Sequence, residues 1–96
     1  MIYLQIIGYS VEKLEDPFGL LLGDRYEFFL DLDIEEDDEL YSEKGIGLRV
    51  LFGVNQGDEN IINYHFFEQG SDEVLDFALE DDEEVAVMQF CKEHLQ

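Results

Sequence analysis

From Tyr26 to Ile34 the chain alternates almost without fault. Tyr26, Phe28, Leu30, Leu32 and Ile34 fall on one side, and Arg25, Glu27, Asp31 and Asp33 on the other, with Phe29 the exception. A period of two suits a strand, whose successive side chains point to opposite faces; a helix would scatter the same residues around its axis. Ile46, Leu48, Val50, Phe52 and Val54 repeat the pattern, as do Ile62, Tyr64 and Phe66, and then Leu75, Phe77 and Leu79. The opening IYLQIIGYSVEKL is rich in β-branched and aromatic residues and predicts a first strand. Asp16, Pro17 and Gly19 stand where a type I turn favours them. A short LLL strand then meets Gly23–Asp24, a two-residue hairpin signal.

Strand pairing follows from the same parity. A tight turn at Gly70–Ser71 pairs Phe66 with Leu75, Tyr64 with Phe77 and Ile62 with Leu79, and sets His65 opposite Asp76. Pairing Ile34 with Ile46 sets Leu30 against Val50 and Asp31 against Arg49. NQGDEN is read as a loop between strands.

The last segment changes period. Val87, Met88, Cys91 and Leu95 form one helical stripe with Val85 at its edge. Asp81 and Glu84 have capping-box spacing, and four acidic residues at the start with Lys92 near the end suit the helix dipole. The predicted fold is α+β: an antiparallel β-meander of about six strands, open or curled into a partial barrel, with one C-terminal helix packed on the sheet. The second sheet face is not polar, because Leu20, Leu22, Phe29, Leu51, Phe67 and Val74 point there by parity. One helix cannot cover both faces. Either the first strand, with Tyr3, Ile7, Tyr9 and Val11, folds over that face and closes a barrel, or a second copy covers it in a homodimer that tightens as salt is added.

A chain of 96 residues suits a single domain, residues 1–96, and 46% hydrophobic residues argue against disorder. The formal net charge is −20, from 25 acidic and five basic residues. Direct nucleic-acid binding needs clustered Lys and Arg, and an anionic membrane surface needs the same, so neither is expected; a basic protein partner, or metal cations, are what such a chain attracts. Plain solubility is the competing explanation of the charge. The lone Cys91 precludes an internal disulfide and fits a reducing, cytoplasmic setting. The start lacks a basic n-region and a small-residue cleavage site, so no signal peptide is expected, and no apolar run reaches the length of a membrane span.

Residues 30–45, LDLDIEEDDELYSEKG, hold eight carboxylates and one lysine. A calcium loop needs Gly at its sixth position and Glu at its twelfth. Starting at Asp31 gives Glu36 and Ser42 there; starting at Asp33 gives Asp38 and Lys44, so both registers fail. The first half reads as the polar face of a strand running into a turn. The second half fits one short helical turn that Gly45 ends and that Leu40 or Tyr41 anchors to the core. The remaining functional reading is a partner-binding surface of Glu35, Glu36, Asp37, Asp38, Glu39 and Glu43.

Other chemistry is thin. Among 25 acidic residues, carboxylate pairs of the glycosidase kind arise by chance. Cys91 and His94 could form a thiol nucleophile and base, but Cys91 lies on the apolar stripe beside Met88 and Leu95, among carboxylates that oppose thiolate formation. GIGLRV lacks the third glycine of a dinucleotide fingerprint, GYSVE lacks the closing glycine of a nucleophile elbow, and one Cys with two separated His does not make a zinc site. No catalytic, cofactor or metal residue is assigned, and no cofactor is expected.

Several phrases together, VEKLEDPFG, GDRYEF, EDDELYS, LDFALEDDEE and FCKEHL, resemble those of small acidic uncharacterised proteins of spore-forming Gram-positive bacteria. The resemblance covers nearly the whole chain and implies no activity and no site residues, since that family has no established function. Some members carry a pullulanase label, but this chain is far shorter than the ~250 residues of a glycoside-hydrolase barrel. The expected function is that of a non-enzymatic binding or regulatory protein engaging a basic protein partner. The alternatives are a DNA-mimic inhibitor of a nucleic-acid-binding enzyme, whose carboxylates imitate phosphates, and a small hydrolase using a carboxylate pair.

Overall fold

The computed structural model describes residues 5–15, 23–39 and 41–95. It is an α+β structure: a five-stranded antiparallel sheet that does not close, with one helix on it. The strands β1 (Gln5–Lys13), β2 (Asp24–Asp33), β3 (Ile46–Asn55), β4 (Asp58–Glu68) and β5 (Val74–Leu75) lie side by side in chain order. Helix α1 (Asp81–Glu93) follows. The expected sixth strand, with Leu20 and Leu22, and the turn at Asp16–Gly19 lie outside the described residues.

The alternating residues form the core. Phe28, Leu30, Leu48, Val50 and Phe52 are fully buried, and Tyr26, Leu32, Ile34, Ile46 and Phe66 nearly so. Phe28 and Phe52 meet edge to face with ring centres 6.2 Å apart. Burying each such side chain contributes roughly 1.5–3 kcal/mol.

The β2–β3 register differs from expectation by two residues. Leu32, not Ile34, faces Ile46, and Leu30 faces Leu48. A two-residue shift preserves the faces, so hydrophobic parity alone cannot detect it. Its consequence is on the other face: Arg49 stands opposite Phe29, not Asp31, and reaches diagonally to Glu27, with Nε 2.7 Å from Oε2.

Between β3 and β4, Gln56 and Gly57 both adopt positive φ (52° and 90°), so NQGD is a two-residue turn whose twist matches the hairpin. A bulge follows, because Leu51 faces Asn63 while Phe52 faces Ile61. Ile61 therefore packs on the core, and Ile62, expected there, is turned to the opposite face.

The β4–β5 register is as expected for Phe66 with Leu75, but the ladder stops there. Phe77 and Leu79 form no rungs, and Asp76 is not opposite His65; instead His65 faces Arg49 and its ring approaches Phe67. Beyond β5 the segment is tied back by Tyr64, whose hydroxyl accepts the Leu79 N–H at 2.9 Å. The physical reason is the helix: residues 76–80 must leave the sheet edge to bring α1 over its face.

The helix starts one residue earlier than its spacing predicted. Glu80 is the N-cap, and Glu83 Oε1 accepts the Glu80 N–H at 2.9 Å, the reciprocal arm of a capping box. Glu83 is only 5% exposed, so the box points inward. Val87 and Cys91 are buried in the core, with Met88, Phe90 and Leu95 packed beside them, while Val85 is exposed. The helix crosses the sheet. Near its start, Asp81, Glu84, Val85 and Met88 border β4 at Asn60 and Ile61; near its end, Phe90 and His94 meet Tyr9 of β1 at 5.3 and 4.7 Å between ring centres.

Strand β1 pairs edge-on with β2, with a bulge at Ile7, and turns Ile6, Tyr9 and Val11 toward the helix side. It does not fold over the second face, so the barrel alternative is not adopted.

Candidate functional site

Three strand ends meet at one end of the sheet: the close of β2 at Asp33, the start of β3 at Ile46 and the close of β4 at Glu68. An antiparallel meander places the β2–β3 and β4–β5 connections together at that end. Residues 33–45 and 68–73 hold ten carboxylates and, as their sole base, Lys44.

The β2–β3 connection forms tight turns rather than the expected helical turn. The Asp38 N–H bonds to the Glu35 carbonyl, Tyr41 N–H to the Asp38 carbonyl and Gly45 N–H to the Ser42 carbonyl, each at 3.0 Å. Acidic side chains in such a run repel one another, and short turns spread them outward where one helical face would stack them. Glu35, Glu36, Asp37, Glu39 and Glu43 are exposed and Asp38 is half-buried. Tyr41 is 37% exposed and does not anchor the loop; Leu40 lies outside the described residues.

The anchor is polar. Ser42 Oγ donates to Glu68 Oε2 and Ser71 Oγ to Glu68 Oε1, both at 2.8 Å, and Lys44 Nζ lies 3.8 Å from Oε1. The Ser42 hydrogen bond, then the Ser71 bond, hold the Glu68 carboxyl below its ordinary range, with the Lys44 charge adding a smaller effect against partial desolvation. Gln69 closes the joint: its N–H bonds to the Gly45 carbonyl at 3.0 Å, and its Nε2 donates to Asp31 Oδ1 at 3.0 Å and to the Ile46 carbonyl at 3.3 Å. One carboxylate is thus spent as a clamp that joins the two connections. Gly45, at φ 92°, is where the chain turns back into β3.

The six predicted partner-binding residues sit together on this loop. Sequence reasoning missed Glu68, Asp72 and Glu73, which the β4–β5 turn brings to the same end. The signal was present in the meander topology, which fixes which turns share an end. Behind the loop, Leu32, Ile34, Tyr41 and Ile46 help line a hollow of about 180 Å3, smaller than the few hundred Å3 of a typical small-molecule site. Among the described residues no three His, Cys, Asp or Glu side chains are grouped to hold a metal ion.

Cys91 and His94 do not form a nucleophile–base pair. Cys91 is fully buried, and burial pushes its thiol up to about 12. The cause is desolvation by the core and not the neighbouring carboxylates. His94 stacks on Phe90 with ring centres 4.0 Å apart, and its Nδ1 lies 2.7 Å from the Phe90 carbonyl oxygen. No helix is long and apolar enough to cross a membrane among the described residues.

No curated protein and no solved structure matches this chain. A family model does, over residues 4–96, nearly the full length of sheet and helix. The chain belongs to the family of unknown function DUF6509.

Proposed function

We propose that this protein is a non-enzymatic binding or regulatory protein of the cytoplasm that docks a basic protein surface on its acidic end. The observation that supports the reading is the convergence of two connections carrying eight carboxylates against one lysine on a clamped scaffold. Exposed carboxylates raise the rate of encounter with a Lys- or Arg-rich surface, and the clamp lowers the entropy lost on docking. The contact is salt-sensitive, because charges that remain in water are screened over about 10 Å at 0.1 M salt. Glu35, Glu36, Asp37, Asp38, Glu39 and Glu43 provide the contact, with Asp72 and Glu73 beside them.

The test is affinity capture at low and high salt with the native chain and with a variant carrying Glu35→Gln, Glu36→Gln, Asp37→Asn, Glu39→Gln and Glu43→Gln. A partner retained only at low salt and only by the native chain is the expected result. Equal capture by both chains, or no salt-sensitive partner, refutes the reading. Displacement of the captured protein by double-stranded DNA at constant ionic strength identifies the alternative, in which the carboxylates imitate phosphates.

A further inference from the structure

We propose that the face of the sheet that no described element covers is a homodimer interface, on which two copies pack face to face as a helix–sheet–sheet–helix assembly. This inference does not rest on the acidic end. Helix α1 covers one face only. The other presents Phe29, Leu51, Ile62, Phe67 and Val74, with Val74 62% exposed, Ile62 43% and Phe29 39%. Its middle is built flat. Phe67 lies across Gly47 and Ile62 across Gly53, whose added Cβ would stand only 2.6 Å from Ile62 Cδ1.

The area suits a second copy. Four strands about 4.8 Å apart and roughly 30 Å long, with the two-residue β5 at their edge, present on the order of 600 Å2, toward the lower end of a standard interface of ~800 Å2 per partner. Charge points to the same occupant. Two copies at −20 repel each other, so contact requires a surface of low net charge, and this face sets Arg25 and Arg49 against Glu12, Glu27, Asp31 and Asp33, an excess of two carboxylates in a chain whose excess is 20.

Arg49 is paired with Glu27, with His65 opposite it. Arg25 has no ion pair among the described residues, and its Nε is buried without a hydrogen-bond acceptor. On the same face of the same strand, Asp33 is exposed. Arg25 and Asp33 are equidistant along β2 from Phe29. A two-fold axis in the interface plane, perpendicular to β2 at Phe29, sets Arg25 of each copy over Asp33 of the other, and Glu27, already paired with Arg49, over Asp31, already bonded to Gln69. That is the self-complementary pairing of an isologous interface, which closes at two copies.

The experiment is solution mass by sedimentation equilibrium on the full chain, at protein concentrations from about 10 μM to about 1 mM and at about 0.02 and 0.5 M salt. Twice 11.2 kDa at high salt is expected, with dissociation toward monomer at low salt as repulsion between the copies lengthens its range. A mass of 11.2 kDa at every concentration in high salt overturns the proposal, and so does growth beyond two copies. Val74→Glu and Ile62→Glu alter exposed side chains, so the fold is retained, as circular dichroism checks; each weakens the dimer at least about tenfold. Arg25→Glu and Asp33→Arg each weaken it about tenfold, and the double exchange restores it. Unchanged dimerisation in the Val74 and Ile62 variants, or a double exchange no tighter than its single parents, overturns the interface.

Discussion

Gly47 faces Phe67 across β3 and β4, and the ring lies directly over the glycine. A Cβ at position 47 would sit 2.7 Å from Phe67 Cε1 and 2.8 Å from Cε2, where ordinary contact begins near 3.4 Å. In Gly47→Ala the ring must therefore retreat by close to 1 Å and loses its edge-to-face approach to Phe29, now at 6.1 Å between centres. Overpacking of this kind costs about 1–3 kcal/mol. Against that, alanine in a strand interior is favoured over glycine by roughly 0.5–1 kcal/mol, since it restricts the unfolded chain. The net expectation is destabilisation by about 1 kcal/mol, a drop in Tm of about 4–8 °C for a domain of this size. With Phe67→Ala the obstacle is gone, and Gly47→Ala should then stabilise by about 0.5 kcal/mol. The assay is urea unfolding of the four chains of this double-mutant cycle, at low salt and low protein concentration so that association does not enter. A coupling of about 1.5 kcal/mol is expected, well above the 0.3–0.5 kcal/mol within which independent sites add. If Gly47→Ala has the same sign and size in both backgrounds, the ring does not occupy the glycine's space and the reasoning fails.

Tyr64→Phe leaves the Leu79 N–H without its acceptor, which should cost about 1–3 kcal/mol and raise the exchange rate of that one amide, read by NMR; unaltered exchange at Leu79 would show that the bond does not hold the segment. Glu68 supplies a pH prediction. Its carboxyl is held low in the folded chain, so the stabilisation it gives is present above the ordinary glutamate value of about 4.3 and is lost as pH falls through the lower folded value. Carboxyl NMR should find Glu68 titrating below that value, and Ser42→Ala should move it upward; an unmoved titration would argue against the Ser42 clamp. Native Cys91 should resist an aromatic disulfide reagent at pH 8 and react fully in denaturant, because its thiol lies at about 12 and is buried; rapid labelling of folded protein would contradict this placement.

The alternation through Tyr26–Ile34 and Ile46–Val54 by itself determined the strands, the core face and the α+β class, because a period of two leaves one way to segregate apolar side chains. The helical stripe of Val87 and Cys91 was legible for the same reason. Parity cannot see a shift of two, so only the structure decided that Arg49 reaches Glu27, with Phe29 opposite it. Nor can it see a bulge, and one extra residue near Phe52 carried Ile62 from the core to the outer face. The acidic stretch was legible as exposed charge. Its clamp was not, because Ser42, Lys44, Glu68 and Ser71 are brought together by two connections separated by more than 20 residues. Tertiary structure also decided which face the helix covers. Where the helix crosses depends on Tyr64 tethering Leu79 and on Phe90 and His94 reaching Tyr9, long-range contacts that no local pattern encodes.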